Sequence, residues 1–142
     1  MKKIMKNLVI MLMLVSLITC NCRSSYAADM SGGDIAPMYV NTSSVNSILT
    51  INSGTATCKV INVMIKSYTS KITMTLQRSS NNSTYSDVQI WSKQYTGKGT
   101  KTLSKTKALT KGYYYRVHVL VEIYSGSTVI ERITKYSTVI KY

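Results

Sequence analysis

The stretch Tyr113-Tyr-Tyr-Arg-Val-His-Val-Leu-Val-Glu-Ile-Tyr124 alternates between two kinds of side chain along its length. One set is entirely aromatic or aliphatic and comprises Tyr115, Val117, Val119, Val121 and Ile123. Alternation with a period of two residues is typical of a β-strand that buries one face. The stretch therefore predicts a strand of a sheet that packs against a second layer.

Runs of the same kind lie elsewhere in the chain, separated by turn-forming clusters of Ser, Asn and Gly. The predicted strands are 47–52, 56–66, 72–77, 85–95, 100–107, 113–124 and 129–141. In the second of them the alternation changes phase near Val60-Ile61, which predicts a β-bulge. No segment repeats its apolar residues at the helical period. About seven short strands predict an all-β protein, either an antiparallel sandwich or a barrel.

One motif favours the sandwich. The sequence Leu109-Thr-Lys-Gly-Tyr-Tyr-Tyr-Arg-Val-His-Val119 resembles, in the spacing of its Leu, Gly and Tyr, the tyrosine corner of fibronectin type III and related immunoglobulin-like domains. The resemblance implies that Tyr115 sends its hydroxyl to upstream backbone, that Gly112 forms the turn, and that Leu109 is a core residue. Cys58 is the only Cys in the predicted strands, which excludes an antibody-type disulfide between two of them. We expect an immunoglobulin-like or fibronectin type III-like sandwich.

Four further motifs are spread over residues 34–142. They are Asp34-Ile-Ala-Pro37, Gly54-Thr-Ala-Thr-Cys58, Leu76-Gln-Arg78 and Gly112-Tyr-Tyr-Tyr-Arg116. Together they resemble a family of small secreted β-sandwich proteins of Gram-positive bacteria (Firmicutes) that has no assigned function. Because these motifs are structural, the resemblance implies a fold and gives no residue a functional role.

The beginning of the chain has the organisation of a secretory signal peptide. Three lysines within the first six residues precede an apolar stretch at residues 8–18, and Ser25-Tyr-Ala27 follows with small residues at its first and last positions. This order predicts export and cleavage after Ala27. The predicted organisation is a signal peptide at 1–27, a flexible tether at 28–37 and a β-sandwich domain at 38–142, and the predicted location is extracellular or at the cell surface.

The segment has two other interpretations. A membrane anchor that is retained is disfavoured because the apolar stretch is shorter than the roughly 17–25 residues that span a bilayer. Leu17-Ile-Thr-Cys20 is similar to a bacterial lipobox, although Thr stands where Gly, Ala or Ser is usual. Lipidation of Cys20 is therefore the minority alternative and is left open.

Composition excludes several chemistries. The chain of 142 residues contains 18 Lys and Arg, 5 Asp and Glu, one His and three Cys. After removal of residues 1–27, Cys58 is the only cysteine, and we expect it to behave as a small buried hydrophobe rather than to form an intermolecular disulfide. Zinc needs three or four ligands, which Cys58 and a partly exposed His118 cannot supply. We predict no metal, no cofactor, no catalytic residue and no enzymatic activity.

Glu122 and Glu131 are the two acids that could act as a pair. A four-residue hairpin at residues 125–128 would set them directly opposite each other, and paired carboxylates are what glycosidases use. A register that differs by one residue would set Glu122 against Arg132 as an ordinary cross-strand ion pair. The sequence leaves both registers open, and a glycosidase is the third-ranked function.

The expected functional charge lies between Val88 and Val121, a stretch without any acid. Its seven basic residues are Lys93, Lys98, Lys101, Lys105, Lys107, Lys111 and Arg116. Such a field attracts anionic polymers in a salt-dependent manner. The predicted partner is an anionic cell-wall polymer or a membrane surface, with no specific nucleic acid, and the oligomeric state is left open. Lysines that alternate along residues 100–107 are equally typical of an edge strand that discourages pairing with another sheet.

A row of aromatic side chains supplies the runner-up function. Alternation along residues 85–95 puts Tyr85, Asp87, Gln89, Trp91 and Tyr95 on one face, and Val88 and Ile90 on the other. Because the chain has no Phe, we expect Trp91 to belong to the core. The leading prediction is a secreted, non-enzymatic binding or structural module of the cell envelope that uses its basic surface. The alternative is a carbohydrate-contacting module that uses Trp91, Tyr95 and loop residues.

Overall fold

The computed structural model describes residues 39–142. The predicted signal peptide at 1–27, the tether at 28–37 and the candidate lipidation residue Cys20 lie outside the described residues. Within the described part of the chain, no helix is long and apolar enough to cross a membrane.

Residues 39–142 form eight β-strands and no helix. The strands are β1 (Thr42–Asn52), β2 (Thr55–Met64), β3 (Thr69–Ser79), β4 (Ser86–Thr96), β5 (Gly99–Ala108), β6 (Tyr114–Ser125), β7 (Thr128–Tyr136) and β8 (Ile140–Lys141). The first seven strands are long, and β8 is a short strand that follows β7 after an interruption. The all-β prediction is confirmed.

The strands are arranged in two antiparallel sheets that face each other. Sheet A has the order β1-β2-β5, and sheet B has the order β4-β3-β6-β7, with β8 paired to β6. The first, second and fifth strands thus share one sheet, while the third, fourth, sixth and seventh share the other. This arrangement confirms an antiparallel β-sandwich.

The last predicted strand, 129–141, is interrupted in the structure. Its first part, β7, pairs with the second half of β6, and β8 pairs with the beginning of β6 at Tyr114 and Tyr115. Between them Ser137 exchanges hydrogen bonds with Val117: the Ser137 backbone N–H donates to the Val117 carbonyl at 2.9 Å, and the Val117 N–H donates to the Ser137 hydroxyl at 2.9 Å. The interruption therefore leaves the β6 backbone satisfied.

The core lies between the sheets and is formed by the inward faces of strands from both of them. It includes Val45, Leu49, Ala56, Cys58, Val60, Met64, Ile72, Met74, Leu76, Leu103, Tyr115, Val117, Val119, Val121, Ile123 and Ile133. The apolar face of residues 113–124 is thus buried along its length, as the alternation predicts. Burial raises the pKa of the Cys58 thiol to about 11, so this side chain stays neutral within the core.

The predicted bulge near Val60-Ile61 is wrong. Strand β2 keeps an unbroken register with both β1 and β5 through these residues. The change of phase in the sequence arises because a polar residue, Asn62, occupies an inward position and is completely buried. Its side-chain amide has no hydrogen-bond partner among the described residues. In the sequence, a polar residue at an inward position interrupts the alternation in the same way as a bulge would.

A bulge is present instead in β4, where none was predicted. Between the pairs Leu76–Gln89 and Gln77–Asp87 the register shifts by one residue, which leaves Val88 without an opposite partner. Asp87 consequently lies on the outer face of sheet B beside Gln77, whereas Gln89 and Trp91 face inward. Ile90 is 53% exposed on the outer face. The predicted grouping of Asp87 with Gln89 and Trp91 is therefore wrong.

Candidate functional site

Three of the predicted basic residues lie on the inward side of the edge strand β5. The register sets Lys101, Lys105 and Lys107 opposite the buried β2 residues Asn62, Cys58 and Ala56. Because β5 is the last strand of sheet A, these side chains reach solvent at the gap between the sheets instead of entering the core. Lys105 and Lys107 are exposed. Lysines in this position are a known protection of sheet edges.

Strand β4 borders the same gap from sheet B. Its inward side carries Trp91, Lys93 and Tyr95, which pair with Met74, Ile72 and Ser70 of β3. Trp91 and Tyr95 are partly buried and pack against the core, while Lys93 is exposed and its ammonium lies 5.0 Å from the centre of the Tyr95 ring. The aromatic residues thus close the gap and the lysine extends beyond them.

Two hydrogen bonds join the strands at one end of this gap. The Tyr95 hydroxyl donates to the backbone carbonyl of Thr102, and Lys101 Nζ donates to the Thr96 carbonyl at 3.0 Å. Burial raises the pKa of Tyr95, which keeps its hydroxyl protonated and able to donate. Residues 97–98 cross between the sheets here, and Gly97 and Gly99 have φ of +85° and +96°, a conformation that glycine adopts without strain.

We call the lysines along this gap the lysine flank: Lys93, Lys98, Lys101, Lys105 and Lys107. Strand β5 contains no acid, and neither do β1 and β2 beside it. Over residues 39–142 the chain has 14 Lys and Arg against three Asp and Glu, which gives a net charge of +11. The three β5 lysines of the flank therefore lie on a sheet whose strands contain no carboxylate.

The other two predicted basic residues lie elsewhere. Lys111 is in the connection between β5 and β6, with its ammonium 5.9 Å from the centre of the Tyr142 ring. Arg116 lies on the outer face of sheet B, where its guanidinium is 3.7 Å from the Tyr85 ring centre and 4.4 Å from that of Tyr136. The structure thus separates both residues from the lysine flank.

The stacking of Arg116 is part of a larger column on the outer face of sheet B. His118 stacks on Tyr136 with ring centres 4.9 Å apart, and Arg116 Nε donates to Gln77 at 2.9 Å. Tyr85 therefore does not join Trp91 and Tyr95, and the three-membered aromatic row predicted from the sequence does not form. The pairing of His118 with Tyr136 belongs to the register that sets Glu122 against Arg132, one of the two that the sequence leaves open, and the approach of Tyr85 has no local signal.

The motif at residues 109–119 has the geometry of a tyrosine corner. The Tyr115 hydroxyl donates to the Thr110 carbonyl at 2.8 Å and accepts a hydrogen bond from the Thr110 N–H at 3.2 Å. Gly112 has φ of +89°, and its N–H donates to the Tyr142 carbonyl at 2.6 Å. Leu109 follows the end of β5 and is partly buried against the core. These contacts hold in place the connection between the end of β5 and the beginning of β6.

Of the two registers that the sequence leaves open, the structure has the one that sets Glu122 against Arg132 and not against Glu131. A two-residue loop, Gly126-Ser127, joins β6 and β7, and an extra residue in β7 shifts the register so that Glu122 lies opposite Arg132. Their side chains form an ion pair at 3.1 Å on the outer face. Glu131 lies opposite the buried Ile123 and therefore faces inward. The two carboxylates are on opposite faces of sheet B and cannot flank one glycosidic bond.

Each of these acids has a defined role in the structure. The hydrogen bond from Arg132, aided by one from Tyr124, lowers the pKa of Glu122. Oε2 of Glu131 accepts hydrogen bonds from Asn41, from the backbone N–H at 3.0 Å and from Nδ2 at 2.7 Å. This contact joins the beginning of β1 to β7 and has no signal in the sequence. Within residues 39–142, no three His, Cys, Asp or Glu residues lie close enough to hold a metal ion.

Comparison with known proteins adds little to this geometry. No protein-family model matches the chain, and no curated protein matches it in sequence. Among solved structures, the solution structure of R. palustris CsgH aligns with a TM-score of 0.41 and 9% identity, over 66% of this chain and 86% of that one. Similarity at this level does not carry a function from one chain to the other. The resemblance to a Gram-positive family stays a prediction.

Proposed function

We propose that this protein is an exported, non-enzymatic binding module whose lysine flank adsorbs a linear anionic polymer of the cell envelope. Residues 1–27 direct export and are removed, and the sandwich is a rigid support that presents the flank. The polymer is held by its repeated negative charges, so no pocket for an individual unit is required along the flank.

The observation that carries this proposal is the arrangement of lysines on two edge strands that border one gap. Alternate residues of a strand repeat at about 7 Å, so Lys101, Lys105 and Lys107 form an extended row along β5. Lys93 adds a charge from β4, on the same side of the molecule. An extended row of charges suits a flexible linear polyanion better than a compact anion.

Protection of the sheet edge is the competing explanation for the same lysines. The two explanations make different predictions, because protection concerns contact between copies of the protein and adsorption concerns a polyanion. A variant that neutralises flank lysines would self-associate in the first case and lose polyanion binding in the second.

The test compares the triple variant Lys93→Gln/Lys105→Gln/Lys107→Gln with a control of equal charge, Lys59→Gln/Lys66→Gln/Lys135→Gln. Binding of inorganic polyphosphate is measured by titration over a range of salt concentrations. For the flank variant, the slope of log K against log salt should be shallower by about 2, from roughly 0.7 for each lost contact with a single-stranded polyanion. Dextran, a neutral polymer, should bind to none of the proteins.

Three outcomes would contradict the proposal. Equal slopes for the flank variant and the control would show that only net charge matters. Binding that does not fall with salt would exclude electrostatic adsorption. An unchanged slope, together with self-association of the flank variant in sedimentation, would show that the lysines only protect the edge.

The proposed export has its own test. The intact mass of the protein recovered outside the producing cells should correspond to a chain that begins at Ala28. A mass that corresponds to a lipidated chain beginning at Cys20, or to the uncleaved chain, would contradict cleavage after Ala27.

The absence of enzymatic activity is part of the proposal and is supported by the separation of Glu122 and Glu131. A panel of chromogenic glycosides should show no turnover above that of buffer. Turnover that is lost in Glu122→Gln would overturn this part of the proposal.

A further inference from the structure

A cavity of about 300 Å³ lies where β3 turns into β4, at the end of the sandwich at which β6 begins. Two tyrosine rings, a guanidinium and several hydroxyl and amide groups line it, among them Arg78, Asn81, Thr84, Tyr85, Ser86 and Tyr113. Ligand pockets range from roughly 300 to 1,000 Å³, so this cavity suits one small unit. It contains no residue of the lysine flank, and the inference drawn from it is independent of the proposed function.

The loop that forms the cavity is held by its own hydrogen bonds. Oδ1 of Asn81 accepts three of them, from the N–H groups of Ser83 and Thr84 at 3.0 Å each and from the Ser79 hydroxyl at 2.9 Å. The Tyr85 hydroxyl donates to Oδ1 of Asn82 at 2.6 Å. Because the loop is already ordered, a ligand would not have to order it on binding. Asn81 makes its three contacts through the side-chain oxygen, so its NH₂ group can donate to a ligand.

The two tyrosine rings are also fixed. The Arg116 guanidinium lies 3.7 Å from the Tyr85 ring centre, and the Arg78 guanidinium lies 4.9 Å from that of Tyr113. Tyr113 further meets the ring of the buried Tyr115 edge to face, with centres 6.4 Å apart. Rigid aromatic rings provide apolar surface for a ligand at a low cost in conformational entropy.

The guanidinium that lines the cavity forms no ion pair with the residues that the structure describes. Within residues 39–142 the one ion pair joins Arg132 to Glu122, so the exposed Arg78 has no carboxylate partner there. Asp87 follows the lining residue Ser86 in the chain. Its carboxylate accepts a hydrogen bond from Gln77 Nε2 at 2.8 Å and forms no ion pair with Arg78. A guanidinium beside hydroxyl and amide donors is suited to a carboxylate or a phosphate.

We propose that this cavity binds one sugar-sized unit that carries a single carboxylate or phosphate group. The tyrosine rings contact the apolar face of the unit, Arg78 binds its charge, and the loop hydroxyls and the Asn81 amide bind its hydroxyls. The carboxylate and the phosphate share this chemistry, and they identify different sources: an acidic polysaccharide or a sugar phosphate.

The test is an NMR titration of the isotope-labelled protein with glucuronic acid, glucose 6-phosphate and glucose. Both anions should shift the amide signals of residues 78–86 and 113, and glucose should bind at least tenfold more weakly. Arg78→Gln should weaken binding of the anions about tenfold, as expected for one charge-assisted hydrogen bond. The tighter of the two anions indicates the source of the natural unit.

Two further variants sharpen the result. Lys141→Gln removes a cation whose ammonium lies over the Tyr114 ring and does not line the cavity, so it should leave both affinities unchanged. Tyr85→Ala, in the connection before β4, should weaken binding of charged and neutral sugars alike. The lysine-flank triple variant should bind these monomers normally, which distinguishes a failure here from a failure of the proposed function.

The proposal would be overturned if glucose bound as tightly as the two anions. It would also be overturned if Arg78→Gln, folded by circular dichroism, kept full affinity, or if the shifts occurred along the lysine flank instead of at residues 78–86 and 113.

Discussion

The two flanks of the sandwich both carry charged residues on the inward side of an edge strand, and they use these residues in opposite ways. Between β1 and β7, the carboxylate of Glu131 is bonded across the gap to Asn41, which is 6% exposed. Between β4 and β5, the exposed Lys93, Lys105 and Lys107 extend into solvent, and hydrogen bonds from the Tyr95 hydroxyl and from Lys101 to backbone carbonyls close one end of the gap. One flank is a structural seam, and the other keeps its charge available to a partner.

The difference between the two flanks follows from the length of the charged side chains and from the cost of removing their charges from water. The Glu131 side chain is partly buried, so its charge needs the two hydrogen bonds from Asn41 to offset the loss of water. A lysine has a longer aliphatic stem, which can cover apolar surface while the ammonium stays hydrated. Similar positions on an edge strand therefore give a structural contact in one case and a free surface charge in the other.

The largest expected effect comes from breaking the seam. Glu131→Ala leaves the buried Asn41 donors without an acceptor and should lower the free energy of unfolding by about 2–3 kcal/mol. Glu131→Gln keeps an oxygen that can accept both hydrogen bonds, so it should cost less than half as much. Urea unfolding at neutral pH measures both. A loss below about 0.5 kcal/mol for Glu131→Ala, as at ordinary surface positions, would show that the two flanks do not differ in this way.

The hydrogen bond that closes the lysine flank should have a smaller effect. Tyr95→Phe removes the hydroxyl that donates to the Thr102 carbonyl and keeps the ring against the core. We expect a loss of about 1 kcal/mol or less, typical of one net hydrogen bond. Polyphosphate binding should be unchanged, because the ammonium groups of the flank remain. A loss as large as that of Glu131→Ala would make the lysine flank a second structural seam.

The smallest expected effect belongs to Glu122, the outward-facing acid of the same β6–β7 hairpin. Its pKa is lowered, chiefly by the hydrogen bond from Arg132, so the ion pair stabilises the fold at neutral pH. That contribution is lost as the pH falls below the ordinary value of 4.5 and through the lowered pKa. Arg132 is 65% exposed, and exposed pairs contribute about 0.2–1 kcal/mol.

The measurement is urea unfolding of wild type and Glu122→Gln at pH 7 and at pH 3. The two proteins should differ by less than about 1 kcal/mol at pH 7, and the difference should become smaller at pH 3. A difference that grows on acidification would reverse the sign and contradict the ion pair as the cause.

Much of the fold could be predicted from the alternation of apolar and polar residues. Where this prediction fails, the cause is local. Residues 113–124 gave the correct buried face because every inward position there is apolar. Alternation predicts the wrong phase where a single residue departs from the rule: Asn62 is polar and buried, and Val88 is an extra residue in β4. The register of Glu122 likewise depends on one extra residue in β7, which no composition pattern reveals.

The candidate site was only partly predictable for a different reason. Along β5 Leu103 is the one large apolar residue, and the neighbouring positions on its face are lysines, so alternation gives only a weak signal for which face is inward. Only the pairing of β5 with β2 assigns Lys101, Lys105 and Lys107 to the gap. The separation of Arg116 from these lysines and its contact with Tyr85 depend on how strands and loops distant in sequence come together.

The most direct test of the central claim is an NMR map of the protein with and without inorganic polyphosphate at low salt. The largest amide shifts should fall on β4 and β5, near Lys93, Lys105 and Lys107, and should disappear as salt is added. The seam around Asn41 and Glu131 should be unaffected. Shifts centred on β1 and β7, or spread evenly over all basic residues, would contradict the assignment of the lysine flank as the binding surface.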